Sequence, residues 1–103
     1  MTNTFVRERI TSLRMKKGVS EYQMSYDLGH SRGYVNNISS GKSLPSVTEL
    51  FAICDYFEIT PAEFFSEEIE DPKLNRELFE LISRLDIEDQ LILQSLAERL
   101  LKK

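Results

Sequence analysis

Apolar positions along this chain recur at helical spacing from end to end, and nowhere alternate as a strand would. Over residues 5–17, Val6, Ile10 and Leu13 share one face, basic residues crowd the end, and Gly18 offers a C-terminal cap. Ser20 is placed to cap a short helix over 21–28 that buries Met24 and Leu28, and Gly29 interrupts it. Ser31 is placed to cap a third helix over 32–39, with Val35 and Ile38 inward, and Gly41 stops it. Residues 42–45 then form a loop.

Ser46 to Glu49 is a capping box, predicting a fourth helix that turns Val47, Leu50, Phe51, Cys54 and Phe57 inward. Thr60 to Glu63 is a second capping box with Pro61 at the first helical position, opening a short helix that offers Phe64 and Phe65. Pro72 starts a sixth helix with Leu74, Leu78, Leu81, Ile82 and Leu85 on one side. Asp86 caps a seventh, carrying Leu91, Ile92, Leu96, Leu100 and Leu101. The expected fold is all-α: a five-helix bundle over residues 1–65, a solvated acidic linker over 66–71 and a helical hairpin over 72–103. The hairpin's apolar stripe requires a cover, either the bundle or a second copy of itself.

Composition narrows the function class. The 41% hydrophobic content of the 103 residues suffices for a packed core. No run reaches the roughly 18 apolar residues of a membrane span. The start, Met1 to Thr4, lacks the layout of a secretion signal, and the single Cys54 forms no internal disulfide. A reducing, cytoplasmic setting is the expectation. One His and one Cys, far apart, give neither a metal cluster nor a nucleophile–base pair, and the four glycines form no phosphate-cradling loop. No enzyme, cofactor, metal site or small-molecule ligand is expected, and the carboxylates of 67–71 lack calcium-loop spacing.

Charge changes the picture only once it is located. The net charge is −4, which by itself argues against a polyanionic partner. Residues 1–65 are balanced, with seven basic and seven acidic side chains, while residues 66–103 hold six basic and ten acidic, so the whole excess lies beyond residue 65. The stretch from Leu28 to Thr48 contains no Asp or Glu at all, as a surface facing phosphates requires.

Two short helices joined by a tight glycine turn cross steeply, which lets the second project into a major groove. From Glu21 to Ser40 the chain supplies the parts: Met24 and Leu28 on one helix, small Ser25 at the crossing, Gly29 in the turn, Val35 and Ile38 on the next. His30 takes a turn position that usually holds an apolar residue.

With these pieces in view, Val6 to Phe65 resembles the Cro/repressor-type (Xre family) helix-turn-helix domain. The matching segments are Arg14 to Gly18, Ser20, Leu28 to Val35, Ile38 with Gly41-Lys42, Pro45-Ser46, and Ile59-Thr60-Pro61 leading into Phe64-Phe65. The resemblance implies a lambda-repressor-like bundle that binds double-stranded DNA, as a homodimer on a palindromic operator. Carried over by position, it assigns base contacts to Ser31, Arg32, Gly33, Asn36 and Asn37. Phosphate contacts fall to Ser20, Tyr34, Ser39, Ser40, Lys42 and Ser43. The chemistry agrees, since arginine reads guanine and asparagine reads adenine in bidentate fashion, while hydroxyls and lysine suit phosphates.

Two positions depart from the family pattern. Glu21 stands where a DNA-contacting glutamine is usual, and a carboxylate there repels phosphate. Arg14 lacks its usual glutamate partner, because that position is Ser39. The functional expectation is a sequence-specific transcriptional regulator, a repressor by preference, using helix 32–39 as its reading head. The alternative is a protein-interaction module of the same fold, antitoxin-like or anti-repressor-like, that does not read DNA. A third reading has the hairpin dock another protein while the bundle only localises it.

Overall fold

The computed structural model describes residues 1–103 and is helical throughout, without strands. The helices are α1 (Asn3–Lys17), α2 (Glu21–Asp27), α3 (Tyr34–Ser39), α4 (Val47–Tyr56), α5 (Pro61–Phe64), α6 (Pro72–Ser83) and α7 (Ile87–Leu101). No helix is long and apolar enough to cross a membrane. The chain divides into two compact units, Met1–Pro72 and Lys73–Lys103.

In the first unit, every helix contributes to one core. Ile10 and Leu13 from α1 meet Met24 of α2, Val35 and Ile38 of α3, Ile53, Cys54 and Phe57 around α4, then Ile59 and Phe64. Fully burying a side chain of this size is worth roughly 1.5–3 kcal/mol, so these ten positions supply the main driving force. Phe5 closes one side, edge-on to Phe64 and stacked on Phe65. Both capping boxes form completely: Ser46 and Glu49 exchange side-chain bonds with each other's backbone amides, as do Thr60 and Glu63.

Four successive helices end alike. After α1, α2 and α3 the next residue but one or the next is a glycine with positive φ, namely Gly18 (78°), Gly29 (76°) and Gly41 (84°). Past each, an amide bonds back over a six-residue span: Val19 to the Arg14 carbonyl, His30 to Ser25, Lys42 to Asn37. This closure satisfies carbonyls that a helix end otherwise leaves open. After α4 the same closure, Ile59 to Cys54, is made with Glu58 in the left-handed conformation at φ 58°.

Three sequence expectations are corrected. The helix predicted over 32–39 begins at Tyr34: Ser31, Arg32 and Gly33 form a turn in which the Tyr34 amide bonds to the Ser31 carbonyl at 3.0 Å. Ser31 therefore does not cap α3; its first amides are claimed from α2 instead, as described below. On α4 the inward stripe is Leu50, Ile53, Cys54 and Phe57, leaving Val47 and Phe51 exposed at 67% and 52%. The i, i+3, i+4, i+7 spacing of the true stripe is the ordinary helical one, and Val47 and Phe51 lie at its edge.

The third correction concerns residues 66–71, which are not a free linker. The Arg9 guanidinium, buried to 7% exposure, donates to the carbonyls of Phe64 (3.0 Å), Ile69 (2.7 Å) and Ser66. Lys16 donates to the Glu70 carbonyl, and Pro72 is buried. The boundary expected at residue 65 thus falls inside the first unit.

The second unit is a hairpin of α6 and α7. Asp86 caps α7 by accepting from the Asp89 amide at 2.9 Å, and Gln90 donates to the Ile82 carbonyl at 2.8 Å across the turn. Its large apolar side chains, from Leu78 and Phe79 through Ile92 and Leu96 to Leu101, remain exposed.

A Cβ at Gly29 meets no atom within 4 Å, so only backbone conformation opposes a side chain there. Gly29→Ala is expected to lose about 1–2 kcal/mol in urea unfolding, the cost of a left-handed non-glycine residue. Gly29→Asn should lose less, because asparagine tolerates that conformation.

Candidate nucleic-acid interface

Helix α3 has only six residues, too short to be stable alone, so its placement is dictated by its neighbours. The decisive contact is Ser25, fully buried on α2. Its hydroxyl accepts the Val35 amide of α3 at 3.0 Å and donates to the Glu21 carbonyl one turn back at 2.9 Å. A side chain no larger than serine is needed for the helices to approach this closely, and the hydroxyl supplies the amide partner that Ser31 does not.

Glu21 is the second clamp between the two helices. Its carboxylate accepts from the Ser39 hydroxyl and, at 3.3 Å, from the Asn36 amide group. The Ser39 bond foremost, with Asn36 and the nearby Arg14 charge assisting against some desolvation, holds the Glu21 carboxyl below the usual range. Arg14 itself donates to the Val19 carbonyl at 2.8 Å. The two departures from the family pattern therefore resolve together: the acid missing at position 39 stands at position 21, facing a serine in its place.

On the side of α3 opposite Val35 and Ile38, the chain brings several of the expected site residues to the surface. Ser31, Arg32, Asn36 and Asn37 are exposed, as are Ser40, Lys42 and Ser43 after the helix, while Gly33 is half-buried. The Asn37 carbonyl fixes the following loop by accepting the amides of Lys42 (2.9 Å) and Ser43 (3.0 Å). The Arg32 guanidinium lies 6.0 Å from the Tyr22 ring centroid, at the limit of cation–π attraction. With Tyr26 and His30 these two line a shallow depression of about 90 Å³. Ser20 caps α2 by accepting from the Gln23 amide at 2.9 Å, leaving its hydroxyl proton to donate outward.

Two expected phosphate contacts are placed differently. The Tyr34 hydroxyl is buried and faces the Glu49 carboxylate rather than solvent. Burial first, and then the Glu49 carboxylate, push its pKa up to about 12. Its ring stacks on His30 at 3.8 Å, which explains a histidine at a normally apolar turn position: the imidazole packs flat on the first turn of α3. His30 also approaches Glu49 at 4.0 Å. Ser39 is half-buried and spends its hydroxyl proton on Glu21. Neither Tyr34 nor Ser39 presents a donor to a phosphate.

The sequence reading did not identify Glu21 as a clamp between α2 and α3. The available signal was the pairing of two oddities, an unexpected acid and an absent one, whose positions meet in space.

A family model described as helix-turn-helix matches residues 10–64, more than half of the chain. No curated protein and no solved structure matches it.

A carboxylate with a lowered native pKa adds stability above its unfolded value, near 4.3, and loses it as pH falls through the native value. The stability difference between wild type and Glu21→Gln, from urea unfolding at stepped pH, is therefore expected to be constant near neutrality and to shrink below about pH 4. Asp27 and Glu49, also lowered, act equally in both proteins and cancel.

Proposed function

The chain belongs to the helix-turn-helix family of Cro/Xre-type DNA-binding regulators, and from that premise we propose that it is a sequence-specific transcriptional repressor acting in the cytoplasm as a homodimer on a palindromic operator. The observation that supports base reading is the exposed row of Arg32, in the turn before α3, with Asn36 and Asn37 on the helix itself, whose first turn is tied to α2 by Ser25. Arg32 is assigned to a guanine, with Tyr22 limiting the orientations of its guanidinium. Asn37 and Asn36 are assigned to adenines, Asn36 being oriented by Glu21. Ser31 and the Gly33 backbone complete the base-facing edge, and Ser20, Ser40, Lys42 and Ser43 are assigned to phosphates.

Glu21 counts less against this reading than its charge suggests, because its carboxylate is engaged with Ser39 and Asn36 and offset by Arg14. The dimer is supported by the hairpin, where Phe79, Ile92 and Leu96 are exposed at 69%, 65% and 49% in the single chain. A second copy is the cover that a symmetric regulator supplies.

Selection of duplexes from a random pool is expected to enrich one nearly palindromic site, and Arg32→Ala should weaken its binding by about 1–3 kcal/mol with relaxed preference at one base pair. Absence of any enriched sequence at moderate salt would overturn base reading and leave the protein-interaction module. In sedimentation, the full chain should have the mass of a dimer and a chain ending at Pro72 that of a monomer. A truncated chain that stays dimeric would move the interface into the bundle.

A further inference from the structure

Beside the recognition helix lies a basic feature that joins Lys42 and Ser43 to residues of α1 outside the family assignment. A cleft of about 320 Å³ opens between the first turns of α1 and the loop after α3. Asn3, Thr4 and Arg7 line one wall, and Gly41, Lys42 and Ser43 the other, with no Asp or Glu among its lining residues. Every polar side chain there is a hydrogen-bond donor or carries one, and two are cationic.

Arg7 reaches across this cleft to the backbone of Gly41. Its side chain is half-buried, no ion pair engages it, and its guanidinium lies where a side chain at position 41 would begin. A Cβ built on Gly41 would stand 2.5 Å from Arg7 Nη1. Gly41 therefore has two duties, the left-handed turn that ends α3 and the space for this guanidinium. An arginine brought against backbone without a carboxylate partner, next to an exposed lysine and two hydroxyls, is an anion site of planar-fork geometry.

We propose that this cleft seats one phosphodiester of the DNA backbone, with Arg7 as its principal donor and Lys42, Ser43 and Thr4 around it. The proposal rests on the DNA-binding reading above and extends the footprint from α3 onto α1. Its occupant is a backbone phosphate because the cleft adjoins the loop leaving the recognition helix and gathers two cations and two hydroxyls without an acid. Gripping the backbone there would fix how far α3 lies along the groove without adding sequence preference.

The test is the salt dependence of duplex binding by the full-length protein, measured on the selected operator and on an arbitrary duplex. Arg7→Gln is expected to weaken binding to both in the same proportion and to lower the slope of log affinity against log salt by about one. Arg7→Lys should retain the slope. Thr4→Glu, at an exposed position that cannot unfold the core, should weaken both duplexes similarly by setting a carboxylate in the cleft. On an operator carrying a neutral methylphosphonate at the gripped position, Arg7→Gln should have no further effect. If wild type binds and Arg7→Gln and Thr4→Glu leave affinity and slope unchanged, the cleft is overturned while the DNA reading stands. If Arg7→Gln alters base preference instead, Arg7 is a base contact and the proposal fails. If wild type binds no duplex, both fall together.

Discussion

The hydrogen bond from the Val35 amide to the Ser25 hydroxyl is the contact on which the functional geometry depends. A helix of six residues has no stability of its own to spend on orientation, so something outside it must fix its start. Ser25 does so from within α2, and because that hydroxyl also donates to the Glu21 carbonyl, the bond geometry is set from both ends. Buried polar groups left unpaired are costly, so misplacing α3 would strand an amide and a hydroxyl at once. The apolar anchors Val35 and Ile38 supply attraction, but attraction between oily surfaces is non-directional. Direction comes from the serine.

A second constraint is the repeated helix ending. Three of the chain's four glycines occupy left-handed positions, and each directs the following residue back toward the unit it has just left. This punctuation makes short helices workable: each is terminated sharply, its carbonyls are satisfied, and no length is lost to fraying. Glu58 performs the same turn without the glycine, showing that the closing bond and the burial of Ile59 beyond it carry enough energy to impose the conformation.

Most of this was legible in the residues. Gly18, Gly29 and Gly41 marked three helix ends, Ser20, Ser46, Thr60 and Asp86 marked starts, and the core faces of α1 and α2 followed from period alone. What was not legible required tertiary partners. Ser31 looked like a cap because it precedes a periodic run, yet the hydroxyl that takes the Val35 amide is Ser25, ten residues before that amide. Nothing in the local pattern distinguishes Arg9 from the other basic residues of α1, and only the folded chain shows three carbonyls converging on it from residues 64–69. Tyr34 looked like an outward hydroxyl because tyrosine in a polar segment usually is; its ring was instead needed to floor the turn under His30. In each case local pattern located the residue and long-range packing decided its role.

The Arg9 latch has an effect on how the molecule meets other charged bodies. By turning the carbonyls of 64–69 inward, it leaves Glu67 and Glu70 beside Glu8 at a cleft on α1. Another α1 cleft, with Arg7 and Lys42, is free of acid. The two clefts thus differ in charge, one setting three carboxylates against Arg9 and Lys16 and the other holding two cations without an acid. Charge differences of this kind act over separations set by the ionic atmosphere, before any atom touches. The latch that ties down a tail of the first unit therefore also decides where that tail's carboxylates stand relative to Arg7 and Lys42.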